Sequence, residues 1–296
     1  MRNQFVRTVE NLFKKDKKLF LLLGDIGVYG FRNIFKRFPD RCLNIGVMEQ
    51  SSVGFAAGLS KTGMIPIYHT IAPFMIERAY EQLKIDFGYQ KLKGNFVSVG
   101  ASYDYLALGP THQCPADINL LKNIPNFQII VPGNSFEFDL LFKQTYRNKF
   151  PTYFRLSNTE NIRSFKVKFG KGYQIKKGKK ATLIICGPVL NFVDKIIEKF
   201  DINVIYYTTI FPFDKKILEK NIINSDKKII IIEPFYSGAI INEINNLKKK
   251  YSLLISSVSV PLKFIKNYGL KEKMDKKYFN YQKILHLIKK TIDSNN

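Results

Sequence analysis

The sequence predicts an α/β protein of two consecutive domains, each a mainly parallel sheet flanked by helices. Apolar runs of strand length alternate with amphipathic segments along the chain, which is the pattern of parallel α/β folds. Between residues 158 and 180 this alternation gives way to Lys-Gly pairs without a helical period. With 296 residues, the chain is long enough for two cores. We therefore expect a first domain over residues 1–160, a linker over 161–180 and a second domain over 181–296.

In the first domain, each strand is predicted from a short apolar run and each helix from apolar spacing at three and four residues. The run Leu19–Leu23 ends at Gly24-Asp25 and predicts a buried strand. Further strands are expected at residues 65–68, 95–100, 128–131 and 151–155. Helices are expected at residues 49–61, 74–87 and 136–146, and another is expected to begin at residue 118.

The second domain repeats the same alternation, which predicts a second parallel sheet. Strands are expected at residues 181–186, 203–207, 228–233 and 253–258. Helices are expected at residues 189–200, 215–223, 240–249 and 281–292.

Composition and charge argue against several functions. The net charge of +23 is scattered over single, paired and triple lysines, so we expect no nucleic-acid binding; anionic substrates or an acidic partner subunit explain the charge equally well. No apolar run approaches the roughly 18 residues of a membrane span, and the first residues lack a signal peptide, so a cytoplasmic protein without membrane attachment is expected. Cys42, Cys114 and Cys186 lie far apart without a CxxC pattern, which predicts reduced thiols and no metal site.

Several short segments with chemically useful residues follow one another along the chain. They are residues 41–50 (RCLNIGVMEQ), 53–59 (VGFAAGL), 69–74 (HTIAPF), 78–82 (RAYEQ), 109–113 (GPTHQ) and 208–214 (TTIFPFD). In their order and spacing, all but the last resemble the pyrimidine-binding domain of transketolase and of 1-deoxyxylulose-5-phosphate synthase. The last resembles the C-terminal domain of the same family, so the resemblance covers nearly the whole chain.

The resemblance implies a thiamine-diphosphate-binding pyrimidine domain, a transketolase C-terminal domain, and transfer of a two-carbon ketol unit from a ketose to an aldehyde. The family's diphosphate and Mg²⁺ site needs a GDG sequence followed by an Asn pair. This chain has Gly24-Asp25-Ile26-Gly27, and residues 51–52 are both Ser. We therefore expect a separate N-terminal transketolase subunit to hold the diphosphate and Mg²⁺ of thiamine diphosphate, in a heterotetramer with this chain.

Glu49 is the expected catalytic acid. By the resemblance, its carboxyl group hydrogen-bonds the aminopyrimidine ring of the cofactor, which lets the cofactor remove a proton from its own thiazolium ring. A position between a strand and a helix, among small and apolar residues, suits a partly desolvated carboxyl group. The alternative is a Glu that is favoured at a helix start only by the helix dipole.

The same resemblance assigns further residues to the site. Asp25, Phe74 and Arg78 are expected to bind the cofactor together with Glu49, with Phe74 stacked on the aminopyrimidine ring. His112, in a Gly-Pro turn, is the second expected catalytic residue, because an imidazole can donate to substrate oxygens or carry a proton.

Three polar positions of the family differ in this chain, which argues against the usual pentose-phosphate substrates. Residues 106–109 (LALG) lack the acidic residue that precedes GPTH in relatives, and Gly100 stands where a histidine is expected. Asn158 stands where relatives have the arginine that grips substrate phosphate. Arg155 matches another family arginine and is expected to form a structural ion pair.

A specialised sugar or sugar phosphate is therefore the expected substrate. The predicted substrate contacts are His69, Tyr103, Asp104 and Asn158. Other functions stay open at this point: a 1-deoxyxylulose-5-phosphate-synthase-like ligase, or the β-subunit of a 2-oxoacid dehydrogenase, although GPTHQ and RAYEQ favour transketolase. The alternative of another class is a non-catalytic regulatory partner subunit, because substrate contacts of the family are lost. A nucleic-acid-binding protein would rest on charge alone.

Overall fold

The computed structural model describes residues 1–266 and 268–294, which form two β-sheets with helices between the strands. The strands are β1 (Leu19–Leu23), β2 (Cys42–Asn44), β3 (Ile65–Ile71), β4 (Gly94–Val99), β5 (Gln128–Ile130), β6 (Pro151–Arg155), β7 (Tyr173–Lys176), β8 (Thr182–Cys186), β9 (Asn203–Tyr207), β10 (Thr209–Phe211), β11 (Lys228–Tyr236) and β12 (Leu254–Val260). The first sheet has the order β10-β5-β6-β4-β3-β1-β2, and the second β12-β11-β8-β9-β7. The predicted fold class, α/β with two mainly parallel sheets, is confirmed.

The expected helices are present, although two of them differ from the prediction, and three helices at residues 2–13, 28–37 and 271–278 were not predicted. They are α1 (Arg2–Phe13), α2 (Val28–Arg37), α3 (Glu49–Lys61), α4 (Tyr80–Gln82), α5 (Asp117–Leu121), α6 (Ser135–Thr145), α7 (Asp194–Ile197), α8 (Lys215–Ile223), α9 (Ile241–Tyr251), α10 (Lys271–Tyr278) and α11 (Tyr281–Asp293). The helix expected at residues 74–87 is irregular, because π-helical segments at Phe74–Arg78 and Leu83–Tyr89 flank α4. The helix expected at residues 189–200 is shorter, because Asn191 bonds the backbone of Glu160 and Ile162 and lies in a 3₁₀ turn before α7.

The central strands of the first sheet, β1, β3, β4 and β6, are buried on both faces. In β1, Leu21 and Leu23 pack in one apolar cluster and Leu22 packs in the other. Helix residues complete both layers, such as Phe5 of α1 in the first cluster and Val53 of α3 in the second. Helices on both faces are the usual setting of a parallel sheet.

Strands β1, β2, β3, β4 and β6 run parallel, so their carboxyl ends meet along one edge, which we call the carboxyl edge. The loops that leave these strands begin at Gly24, Ile45, Ala72, Gly100 and Leu156. Open parallel sheets bind ligands outside the carboxyl ends of their strands. The fold therefore collects at this edge most of the segments in which the sequence places polar chemistry.

The two sheets are linked by a strand that the sequence did not predict. β10 follows the second-sheet strand β9 in the chain, but pairs antiparallel with β5 of the first sheet. A three-residue strand that pairs with a distant segment has little local signal. β7 lies within the predicted linker and pairs antiparallel with β9 at the edge of the second sheet. The domain limits at residues 160 and 181 stay a prediction.

A buried polar cluster also joins the two sheets. Arg155 Nε donates to Asp117 Oδ2 at 2.6 Å, and Arg155 Nη2 donates to Ser102 Oγ at 2.7 Å. The Tyr153 hydroxyl donates to the same Asp117 oxygen at 2.9 Å. Arg155 Nη2 also lies 3.4 Å from the carbonyl oxygen of Pro234, in β11. In this Arg155 cluster the arginine side chain is 1% exposed and its acidic partner 0%, so the expected structural ion pair of Arg155 is confirmed.

Candidate active site

Glu49 lies at the carboxyl edge, as the first residue of α3 and shortly after β2. The loop between them contains Gly46 with φ of 79°, a left-handed conformation that glycine adopts without strain. The Glu49 side chain is 5% exposed, and its Oε1 accepts a hydrogen bond from Arg78 Nη1 at 3.1 Å. The helix dipole and this cation together stabilise the buried carboxylate.

Phe74 and Arg78 come from the segment that follows β3. This segment is π-helical over Phe74–Arg78, a distortion that is frequent at functional sites. The Arg78 guanidinium lies 3.8 Å from the centroid of the Phe74 ring while it pairs with Glu49. Arg78 is 44% exposed and Phe74 is partly exposed, so a ring and a cation border accessible space next to the buried carboxylate.

His112 completes this group from a loop that leaves β4. It ends the 3₁₀ turn Pro110–His112, which follows Gly109 with φ of 78°. The His112 ring meets the Phe74 ring edge-on, with centroids 5.1 Å apart. The structure thus brings together Glu49, Phe74, Arg78 and His112, which we call the Glu49 cluster.

Asp25 lies at the same edge, in the loop after β1, and its side chain is exposed. The Asp25 backbone N–H donates to Asn44 Oδ1 at 3.0 Å, and Asn44 Nδ2 donates to Asp25 Oδ1 at 3.2 Å. This reciprocal pair holds the ends of β1 and β2 together. Sequence reasoning missed Asn44; a polar residue at the end of a short strand was the available signal.

Tyr68, on β3, is a neighbour of Glu49 that sequence reasoning also missed. Burial raises the pKa of Tyr68, and the Glu49 carboxylate adds to the rise. The Tyr68 hydroxyl is thus a neutral polar group beside the buried carboxylate. A Tyr within an apolar strand gives no sequence signal of such a position.

His69 lies in the core and is not accessible from the carboxyl edge. It is 0% exposed, and its ring packs edge-on against Phe5 and Phe31. Its Nδ1 donates to the carbonyl oxygen of Val97 at 2.6 Å. Burial lowers the pKa of His69 to about 3, so the ring is neutral. A substrate would reach this residue only after a rearrangement of the chain around it.

Tyr103 and Asp104, two further predicted substrate contacts, are also buried and already have protein partners. The Tyr103 hydroxyl donates to Asp275 Oδ1 at 2.9 Å. Asp104 Oδ1 accepts from Ser157 Oγ at 3.1 Å and lies 3.8 Å from Lys271 Nζ. Burial raises the pKa of Asp104, against the opposing effect of the Lys271 charge. Both residues link the loop after β4 to α10 in the second half of the chain.

Asn158, the last predicted substrate contact, is exposed at the carboxyl edge. Its backbone N–H donates to Asp104 Oδ2 at 2.9 Å, while its side chain lines a cavity of about 290 Å³. Of the four predicted substrate contacts, Asn158 is therefore the one that a ligand can touch without rearrangement of the fold.

The cysteines are free and buried. Cys114, near His112 in sequence, donates its S–H to Glu77 Oε1 at 3.5 Å, and burial raises its pKa well above the usual thiol value. Among residues 1–266 and 268–294, no three His, Cys, Asp or Glu side chains group as metal ligands. Within the same ranges no helix combines the length and apolarity that a membrane crossing requires.

The chain is similar to known proteins in sequence and in fold. Residues 1–162 match the family model described as transketolase, pyrimidine binding domain. An uncharacterized 33.6 kDa protein in the fasciation locus of Rhodococcoides fascians is 29% identical over 94% of this chain and 86% of its own length. One subunit of the apulose-4-phosphate transketolase of Actinobacillus succinogenes is 33% identical over 67% of this chain and 66% of its own. A solved structure described as split gene transketolase, inactive beta4 tetramer, superimposes with a TM-score of 0.83 over 98% of this chain and 97% of its own, at 23% identity.

Proposed function

The chain belongs to the transketolase family, and we propose that it is the pyrimidine-binding subunit of a two-chain transketolase that depends on thiamine diphosphate. The proposed reaction transfers a two-carbon ketol unit from a ketose to an aldehyde. The observation that carries the proposal is the Glu49 cluster. In it a buried carboxylate, a guanidinium and a partly exposed aromatic ring meet at the carboxyl edge.

The residues of the Glu49 cluster fit the flat, nitrogen-rich aminopyrimidine ring of the cofactor. The Glu49 carboxyl group can donate a hydrogen bond to a ring nitrogen, and Phe74 can stack on the ring. Asp25 and Arg78, at the same edge, are the remaining proposed cofactor contacts. When bound, thiamine diphosphate supplies the nucleophilic carbon with which carbon–carbon bonds are cut and joined.

Each side chain of the cluster has a definite task in this proposal. Glu49 orients the ring and holds the proton of the hydrogen bond between them, and Arg78 keeps the carboxyl group in place. Burial of Glu49 keeps water away from that bond, which strengthens it. His112, beside the Phe74 ring, gives or takes a proton at a substrate oxygen.

We further propose that a separate N-terminal transketolase subunit holds the diphosphate and Mg²⁺. Residue 26 is Ile where the family's metal-binding sequence has Gly. Large apolar side chains at the carboxyl edge are exposed here, with Val47 at 60%, Met48 at 55% and Tyr29 at 80%. A second chain would remove this apolar surface from water. The relative from Actinobacillus succinogenes is named as one subunit of a transketolase, which supports a two-chain enzyme, and we propose a heterotetramer that involves neither nucleic acid nor membrane.

The proposed substrate is a specialised sugar or sugar phosphate. Asn158 supports this, because it is exposed where the resemblance places a phosphate-gripping arginine. We propose that His69, Tyr103 and Asp104 act indirectly, by holding the core and the loop after β4 in place, because their polar atoms are buried.

The test is reconstitution of this chain with its N-terminal partner, followed by titration of thiamine diphosphate in Mg²⁺. We expect saturable binding that requires both chains. Glu49→Gln should lower turnover of a ketose donor by about 10²–10⁴-fold, because general acid–base contributions are of this size. Glu272→Gln, an equal charge change at an exposed position of α10, is the matched control and should keep full turnover.

Tight cofactor binding by this chain alone would contradict the two-chain proposal. Equal turnover of the wild type and Glu49→Gln would contradict the role of Glu49. Release of CO₂ from a 2-oxoacid donor, with no ketol transfer, would instead identify the 1-deoxyxylulose-5-phosphate-synthase-like or dehydrogenase-like alternative. Cofactor binding without turnover of either donor class would favour the non-catalytic partner.

A further inference from the structure

The cavity that Asn158 lines has the positively charged side chain of Arg2 at its wall. It has a volume of about 290 Å³ and lies between the ends of β4 and β6, the first turn of α1 and the start of α6. Its polar lining includes Arg2, Asn3, Ser135 and Asn158. The cavity therefore lies at the carboxyl edge of the first sheet, as does the Glu49 cluster.

Arg2 is the cation of this cavity. Its side chain is exposed, and it forms no ion pair or hydrogen bond with any residue in the described ranges. Burial lowers the pKa of His69, on β3, and raises that of Tyr105, in the loop after β4. The Arg2 charge contributes a lowering effect to both, so Arg2 lies near these two side chains. An exposed guanidinium that the fold leaves without a partner is available to an anion.

The acidic residue of the cavity wall does not neutralise Arg2, because its oxygens are already engaged. Glu160 Oε2 accepts from the Ser135 backbone N–H at 2.7 Å, and Oε1 accepts from Ser135 Oγ at 2.9 Å. Glu160 Oε1 also forms an ion pair with the N-terminal ammonium of Met1, so the charges of these two groups offset each other. The side-chain amides of Asn3 and Asn158 add neutral hydrogen-bond donors to the wall. The polar wall thus offers one free cation among the described residues, with uncharged donors around it.

We propose that Arg2 binds an acidic group, either phosphate or carboxylate, at the far end of the substrate that reacts at the Glu49 cluster. The identification of this ligand as substrate rests on the proposed function, whereas the anion site itself does not. Arg2 is thereby a residue that sets substrate specificity, although it lies outside the short sequence segments, between residues 41 and 214, on which the sequence analysis relies. Asn158 takes part as a neutral donor beside it.

The test is NMR titration of the ¹⁵N-labelled full chain with inorganic phosphate, with acetate and with uncharged glycerol, at constant ionic strength. We expect saturable shifts of the Ser135 and Asn158 amides with an anion and none with glycerol. Arg2→Gln should weaken anion binding at least about tenfold, because charge-assisted hydrogen bonds contribute on this scale. Arg7→Gln is the matched control: it removes the same charge from an exposed position of α1 that does not line the cavity, and should change affinity less than about twofold.

Each outcome decides the proposal. Binding of phosphate without acetate identifies a phosphorylated ligand, and comparable binding of acetate identifies a carboxylate. Absence of saturable shifts with both anions, or equal weakening by Arg2→Gln and Arg7→Gln, overturns the anion site. If the anion site holds while the reconstituted chains fail to bind thiamine diphosphate, the proposed function fails and the site stands without its substrate role.

Discussion

The Arg155 cluster and the Glu49 cluster are both built on an Arg–carboxylate pair, but they differ in what surrounds the pair. In the Arg155 cluster both side chains are buried, at 1% and 0% exposure, and hydroxyl groups fill the remaining hydrogen-bond positions. In the Glu49 cluster the carboxylate is buried at 5% exposure, whereas its arginine is 44% exposed and lies against an aromatic ring. The first pair is complete within the fold, and the second borders space that a ligand can enter.

We propose that this difference in burial separates structural charges from functional ones better than residue type does. Tyr103 and Asp104 have polar side chains in a loop at the carboxyl edge, yet both are buried and contact Asp275 and Lys271 within the fold. When protein groups occupy the hydrogen-bonding positions of both side chains in a buried pair, no position is left for a ligand. When only the acid is buried, the carboxylate is shielded from water but a ligand can still approach it, and binding a polar ring requires both conditions.

The largest expected effect on stability concerns the Arg155–Asp117 pair. Arg155→Met should lower the free energy of unfolding by about 3–5 kcal/mol, because it leaves the Asp117 charge buried without its partner. Urea denaturation measures the change. The control is Lys143→Met, which breaks a half-exposed pair with Asp139 within α6 and should cost about 0.5 kcal/mol or less. If Arg155→Met and Lys143→Met lower the free energy of unfolding equally, burial of an ion pair does not determine its contribution to stability.

The next effect concerns Glu233, a buried carboxyl group in β11, one residue before the Pro234 whose carbonyl oxygen lies near Arg155. Burial raises its pKa from 4.5 to about 8, although the backbone N–H groups of Gly238 and Ile240 oppose the rise. The folded chain therefore keeps a proton up to about pH 8 that the unfolded chain releases near pH 4.5. Between these values Glu233 should lower stability as pH rises, by at most about 1.4 kcal/mol per pH unit.

Glu233→Gln should flatten this dependence, since the amide does not titrate. Urea denaturation at pH 5, 6.5 and 8 measures the slope. Glu137, whose pKa burial raises to about 7, should keep part of the slope in the variant. If the pH dependence of stability is unchanged in Glu233→Gln, the folded chain accommodates the ionised Glu233 carboxylate. Burial then does not keep this group protonated.

The smallest expected effect concerns the Arg78–Glu49 pair. Arg78→Met should weaken thiamine diphosphate binding by the reconstituted enzyme about tenfold, because it removes one hydrogen bond to Glu49 and the contact with Phe74. Stability should change by less than about 1 kcal/mol, since Arg78 is 44% exposed. Lys84→Met, at an exposed position of the same irregular helix, is the control for charge. If Arg78→Met lowers the free energy of unfolding as much as Arg155→Met does, the Arg78–Glu49 pair is structural in the same way as the Arg155–Asp117 pair.

The features that were predictable are those with a local signal. The strand Leu19–Leu23 follows from five consecutive apolar residues, and the segments around Glu49, Phe74 and His112 carry the family resemblance. The burial of Tyr103 was not predictable, because its partner Asp275 lies 172 residues away in the chain. Arg2 was missed for the same reason: only the folded sheet places the first turn of α1 beside the ends of β4 and β6.

The pairing of β10 with β5 has a consequence for synthesis on the ribosome. The family match ends at residue 162, but the first sheet is complete only when Thr209–Phe211 has emerged. At typical rates of translation that interval lasts roughly 2–10 s. During it, the edge of β5 has no neighbour and can pair with another chain. The half of the protein that holds Glu49 thus leaves the ribosome before it can finish folding.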